Sequence, residues 1–251
     1  MHPLPLPRRP DVVADRSRAE SHAVRPATHV LVRDAEQSEV SDTARLHVRH
    51  LPLGLFPQLG RRFVARWHRA HVQSPHAVVL VAVTPGTDGG QRISGFLVGA
   101  TDRQAFRDEL LTRHRRSMLT CGAVALIGRP RVLLRFLRTR LRPYLSRLRP
   151  VRAPVSVPPG AVRLAPIADL TAIAVSPELR RTGTGSRLTD EFLRRCEHAG
   201  ATKVELTTVA DSEESIAFYT RTGWTALRSH TARDGRLVQR FAMWIDRTGE
   251  D

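Results

Sequence analysis

The 251-residue chain has two cysteines, two tyrosines and a single lysine. Cys121 and Cys196 are too few for a disulfide framework or a cysteine-rich zinc module, and two thiols in a chain this long suit a reducing compartment. Aromatic residues are 5% of the sequence. That leaves little material for the base-stacking platforms of nucleic-acid binders, so nucleic acid is disfavoured as a partner. No apolar run approaches the roughly 18 residues that a membrane span needs. Residues 1–27, with prolines at 3, 5, 7 and 10, lack the apolar core of a signal peptide and read as a flexible tail outside the fold. These absences point to a cytoplasmic protein.

Acidic charge is scarce too: 24 Asp and Glu stand against 40 Lys and Arg, for a formal charge of +16. The balance favours anionic partners such as phosphates or an anionic membrane surface, and it says nothing about fold. A hydrophobic fraction of 41% is enough for a core. Alternation and apolar runs predict strands at residues 29–33, 77–83, 93–100, 169–175, 203–209, 225–230 and 237–245. Helical spacing predicts helices over 39–50, 56–72, 185–199 and 213–222. The order implies a mixed α/β sheet with helices packed on it, in one domain spanning 28–248.

Residues 103–165 interrupt that rhythm. Residues 103–152 hold fourteen arginines against Asp108 and Glu109, in a helical pattern with breaks at Gly122, Gly128–Pro130 and Pro143. A proline-rich connector follows. Within 131–149, Val132, Leu133, Phe136, Leu137, Leu141, Tyr144, Leu145 and Leu148 form an apolar stripe among arginines. Such an arm packs on the protein's own core, lies on an anionic membrane surface, or contacts nucleic acid.

The chemistry concentrates in residues 170–193. A strand ending at Val175 leads through Arg180-Arg181-Thr182-Gly183-Thr184-Gly185 into an amphipathic helix bearing Leu188, Phe192 and Cys196 on one face. Such a loop, feeding a helix N-terminus, offers consecutive N–H groups to a phosphate. A Walker loop is excluded, since the one lysine lies elsewhere. A dinucleotide fingerprint is excluded by Leu188, which stands where the third glycine belongs.

The pattern Arg180-x-x-Gly183-x-Gly185 after Ile173-Ala174-Val175 resembles the acetyl-CoA loop of the GNAT superfamily of N-acetyltransferases. Asp211 to Trp224, with its Phe218-Tyr219 pair and terminal Gly223-Trp224, resembles that family's next motif. The resemblance is firm over about 167–246 and implies a mostly antiparallel mixed sheet with one splayed parallel strand pair, 170–175 and 203–209. It implies an enzyme that moves an acetyl group from acetyl-CoA to a primary amine, on a small molecule or a peptide, by direct attack on the thioester. Backbone groups of Ile173 and Val175 would hold the pantetheine arm. Arg181, Gly183, Thr184, Gly185 and Ser186 would hold the pyrophosphate, with Arg180 at the loop's entrance. Tyr219 would protonate the departing thiolate; its alternative is a core residue beside Phe218 and Ile216. Asp169 is the candidate base; its alternative is a strand-edge carboxylate in solvent. Ser212 stands where the family often has an Asn, and a helix cap of the form Asp211-x-x-Glu214 accounts better for that region.

Cys196 reads as a small core residue. The pairs His47/His50 and His68/His71 could bind a metal, but no carboxylates lie between them and no metal is expected; they read as solvated or as lining an acceptor cleft. A different class of function also fits: a CoA- or phosphate-binding module without transferase activity, tethered to membrane or nucleic acid by the basic segment.

Overall fold

A computed structural model of the chain describes residues 30–86, 89–139, 165–232 and 234–245. The N-terminal tail, the connector and residues 140–149 of the predicted apolar stripe lie outside these. The continuous apolar run Ala77–Pro85 (β2) is buried over most of its length, as a strand covered on both faces must be. It pairs antiparallel with Leu31–Asp34 (β1) and with Gln91–Ala100 (β3). β3 in turn pairs antiparallel with Ile167–Val175 (β4). The next ladder, β4 with Lys203–Val209 (β5), is the parallel one. Leu237–Trp244 (β8) then lies antiparallel to β5, with Thr225–Ala226 (β6) and His230–Thr231 (β7) on its far side. The region predicted as one strand over 225–230 is thus two short ones.

Helices cover both faces. On one face lies Thr184–His198 (α7), whose Leu188, Phe192 and Cys196 are fully buried against Leu80, Leu97, Leu170, Val204 and Leu206. On the other lie Val40–His50 (α1) and Arg61–Val72 (α3), whose Leu46 and Trp67 pack with Val79, Val81, Phe96, Val98, Ala172 and Ala174. The helix predicted over 56–72 is broken: Leu55–Gln58 (α2) ends, and Gly60, at φ 90°, redirects the chain into α3. A residue with a Cβ could not hold that angle cheaply.

Strand β4 changes its sidedness midway. Val98 pairs with Ala172 but Gly99 pairs with Leu170, leaving Thr171 as an extra residue. Ala168 and Leu170 therefore face α7, whereas Ala172 and Ala174 face α1 and α3. Because strand side chains alternate with period 2, one unpaired residue moves every later side chain to the opposite face.

The segment after β3 forms Arg103–Thr112 (α4), Arg115–Ile127 (α5) and Pro130–Thr139 (α6). Asp102 caps α4 by accepting from the N–H groups of Gln104 and Ala105. α5 runs straight through Gly122, where a break was expected, and Gly122 packs against Phe63 of α3.

Candidate active site

The ladder between β4 and β5 lasts four residue pairs, from Ile167–Lys203 to Leu170–Leu206. Beyond it the strands part: β4 continues against β3 alone, and β5 continues against β8. The edge of β4 facing β5 beyond Leu170, where Ile173 and Val175 lie, has no strand partner among the described residues. A wedge-shaped gap therefore opens in the sheet at its parallel pair.

Past Val175 the chain makes a short 3-10 turn at Pro177–Leu179 and enters the glycine loop. Arg181 has φ 61° and Gly183 has φ 83°, so two nearly adjacent residues take the left-handed conformation. Gly183 is the N-cap of α7, and its carbonyl accepts from the N–H of Arg187. The N–H groups of Thr184, Gly185 and Ser186 open that helix and have no intrahelical acceptor. Their partial positive charge, with the flanking left-handed turns, makes a concave anion cradle. Thr182 Oγ1 donates to the carbonyl of Leu179 and meets Thr184 Oγ1 at 2.9 Å, which fixes the turn. Arg180 reaches Glu214 at 3.6 Å. This exposed pair links the loop to Glu213–Arg221 (α8). A Cβ on Gly185 would lie 3.3 Å from the Phe218 ring of α8, so helix and loop are in van der Waals contact there.

Tyr219, on α8, is buried, with ring contacts to Phe218, Trp224 and Phe241. Burial pushes its phenol well above its ordinary pKa, so the ring carries a proton at neutral pH. It packs in the same cluster as Leu206 and, at its margin, Ile173 and Val175. Tyr219 thus has the core position beside Phe218 and Ile216 that its alternative reading expected. Ser212, not Asp211, is the N-cap of α8. It makes no bond to the helix backbone, and its hydroxyl donates to Ser215 Oγ at 2.8 Å, so the expected capping box is absent.

Asp169 is in register with Ala100 on β3 and with Glu205 on β5. It precedes the bulge, so it faces away from α7, and so does Glu205, which lies between the inward-facing Val204 and Leu206. Burial pushes the Asp169 carboxyl up from its ordinary range, against the Thr171 hydroxyl, which donates to Oδ2 at 2.9 Å, and the charge of Arg103; Glu205 pushes it further up. Sequence reasoning missed Glu205. It is buried and meets Lys203 at 2.7 Å, Arg103 at 2.8 Å and Arg240 at 2.9 Å. Burial raises its pKa, but those hydrogen bonds and charges outweigh it and hold the group at about 2. The available signal was parity: a charged residue between two inward-facing apolar ones on a strand. Tyr219 and Asp169 thus stand on opposite faces of the sheet, and Asp169 lies one residue before the β4–β5 ladder ends.

The histidines depart most from expectation. His47, His68 and His71 are buried, not solvated. His68 Nδ1 lies 2.8 Å from Thr43 Oγ1, and His68 Nε2 lies 3.1 Å from His47 Nδ1. His71 Nδ1 donates to the Trp67 carbonyl at 2.9 Å, and His47 stacks on Phe96. Among the described residues no group of three or more metal-ligating side chains occurs. Burial pushes the Cys196 thiol up to about 12, in keeping with a core position. No described helix is long and apolar enough to cross a membrane.

Residues 157–224 match the sequence model of the acetyltransferase (GNAT) family. Compared by sequence with curated proteins, the chain matches none. Among solved structures it superposes on NAA60 of Arabidopsis thaliana in complex with a bisubstrate analogue, at 13% identity, over 87% of this chain and 100% of that one, with a TM-score of 0.53. It superposes likewise on yncA of Salmonella typhimurium with acetyl-CoA, at 12% identity, over 88% and 96%, TM-score 0.51. A third similar structure, from the NatC complex bound to Gag peptide and CoA, gives 10% identity, 87% and 99%, TM-score 0.51. At these identities the likeness is one of fold. The eight-stranded mixed sheet, its one parallel pair and its flanking helices are the GNAT fold, and residues 157–224 carry the GNAT acetyltransferase segment within it.

Proposed function

We propose that the protein is an acetyl-CoA-dependent N-acetyltransferase that acylates a primary amine. The observation that carries this reading is the pairing of an anion cradle at Arg181–Ser186 with the opening between β4 and β5, both built by the segment that matches the family. The donor set fits the proposed co-substrate. Unpaired helix-start N–H groups suit a pyrophosphate, Arg180 adds charge at the entrance, and the free edge of β4 at Ile173 and Val175 suits an extended amide-bearing arm.

Acetyl-CoA, when bound, supplies the thioester carbonyl to which the amine nitrogen bonds as the C–S bond breaks. The residues then divide the proton work. A lysine-like ammonium has a pKa of about 10 and must lose a proton before it can attack. We assign Asp169, on the α1–α3 side of the sheet, as the base that takes it, directly or through water; its raised pKa makes it a better base than an ordinary aspartate. Tyr219, on the α7 side, is held protonated by burial and donates to the departing thiolate. The amine acceptor is a small molecule or a peptide terminus.

Two measurements test the reading. Gly183→Val places a β-branched side chain at φ 83°, a strain of about 1–2 kcal/mol. We expect acetyl-CoA affinity to weaken about tenfold or more in calorimetry, while circular dichroism stays native. Tyr219→Phe removes one oxygen from a packed ring. We expect kcat in a thiol-release assay with a panel of amines to fall about 100-fold, with acetyl-CoA affinity unchanged. Tight acetyl-CoA binding with no turnover on any amine would instead favour the non-catalytic CoA-binding module. No acetyl-CoA binding at all would overturn both readings.

A further inference from the structure

α5 is apolar on two opposite sides. Its inner side, with Met118, Cys121 and Ala125, packs against Leu59 and Phe63. Its outer side exposes Leu119, Val124 and Ile127, the last two 71% and 77% open to solvent. A helix that is apolar all round belongs between two apolar layers, and here the protein supplies one. After the Gly128–Pro130 turn, α6 repeats the arrangement: Val132 joins the inner cluster, whereas Leu134 and Leu137 are exposed. These outward side chains form a surface that the described residues leave uncovered.

The charge around that surface selects its partner. From residue 110 to residue 168 the sequence contains thirteen arginines and no Asp or Glu. Arg116 starts the outer side of α5, and Arg131 and Arg138 flank Leu134 on α6, all exposed. A second copy of the same face, or the arginine-rich residues that follow α6, would bring like charge to it. The complement is anionic and apolar together. Arginines at the headgroups with aliphatic side chains just beneath them are what an anionic bilayer accepts from a helix lying in its plane. A nucleic acid would satisfy the charge and leave Val124 and Ile127 in water.

We propose that the outward face of α5 and α6 docks on an anionic lipid bilayer, with Val124 and Ile127 inserted at the acyl boundary. The test uses the full chain and vesicles of phosphatidylcholine alone or mixed with phosphatidylglycerol. Co-sedimentation is expected with the anionic vesicles at low salt, with a loss of about tenfold or more in affinity for the pair Val124→Asp, Ile127→Asp and for the pair Arg131→Glu, Arg138→Glu. In Ile127→Trp, the difference emission relative to wild type is expected to shift to the blue when anionic vesicles are added. The proposal is overturned if the protein stays in the supernatant at low salt, or if the aspartate pair binds as well as wild type. It is overturned as well if the added tryptophan is already blue-shifted in the free protein, which would mean the chain or a second copy covers the face. Preference for an RNA or DNA duplex over the vesicles would assign the surface to nucleic acid instead.

Discussion

Lowering the pH from 7.5 to 5 is expected to cost the protein about 4 kcal/mol of folding stability through buried His47 and His71, with His68 adding to the loss. Burial depresses the pKa of His47 to about 4 and of His71 to about 3, and holds that of His68 well below the usual 6.5. In the unfolded chain each titrates near 6.5, so at lower pH the unfolded state binds more protons than the folded one. Stability is therefore complete above about pH 6.5. It falls as the pH drops, until each folded imidazole itself begins to protonate. At pH 5 the linkage amounts to about 2 kcal/mol each for His47 and His71, against a typical total of 5–15 kcal/mol, and His68 acts in the same direction. No carboxylate acts among the causes of the three shifts, and the Trp67 carbonyl that accepts from His71 only partly opposes the effect of burial. Urea midpoints followed by circular dichroism at pH 7.5, 6 and 5 check this. The depressed carboxylates Glu39, Glu191 and Glu205 take effect only near and below their ordinary pKa of about 4.5, which keeps the two windows apart. A midpoint that does not move between pH 7.5 and 5 refutes the linkage. His71→Phe should lower the slope.

Gly99→Val is expected to destabilise the fold by about 3 kcal/mol or more, at the upper end of overpacking costs. A Cβ at this position would lie 2.4 Å from the Phe192 ring and 2.8 Å from the Asp169 carbonyl oxygen. Phe192 is fully buried at the centre of α7, so its ring has nowhere to go. The second collision is with backbone, beside the bulge at Thr171, and cannot be relieved by a rotamer change. Even Gly99→Ala should lower the melting temperature by several degrees. Pairing Gly99→Ala with Phe192→Leu should recover part of the loss, which a double-mutant cycle reads directly. An alanine variant as stable as wild type would show that β3 and α7 are not in contact in the way described. Because the backbone it strikes belongs to Asp169, the substitution should also disturb that residue's carboxylate.

The parts of this fold legible in the sequence were those with a local cause. The apolar run at 77–83, the loop at 180–185 and the apolar face Leu188, Phe192, Cys196 announce themselves by spacing, and they occupy the expected elements. The break at Gly60 was hidden because 56–72 keeps a helical rhythm across it, and periodicity does not register a left-handed residue. The histidines were misread for a related reason. A polar residue on an apolar face is ambiguous until its partner is known, and His68 finds Thr43 and His47 on a different helix. Glu205 was invisible as a site residue because its cations come from three separate segments. The bulge at Thr171, which puts Asp169 and Ile173 on opposite faces, is a property of pairing between strands and leaves no mark in either one.

The position of β8 between β5 and β6 has a consequence for how the protein assembles. β1 through β4 form a run of antiparallel neighbours whose strands have all been synthesised by residue 175. β5 by contrast holds only four pairs to β4 and seven to β8, the final strand described. Arg240, which completes the ring of cations around Glu205, arrives on that strand. During synthesis the half of the sheet bearing the gap must wait until that strand has been made. The opening between β4 and β5 is then among the last things the nascent protein acquires, and ligand binding should appear only after the bulk of the sheet is in place.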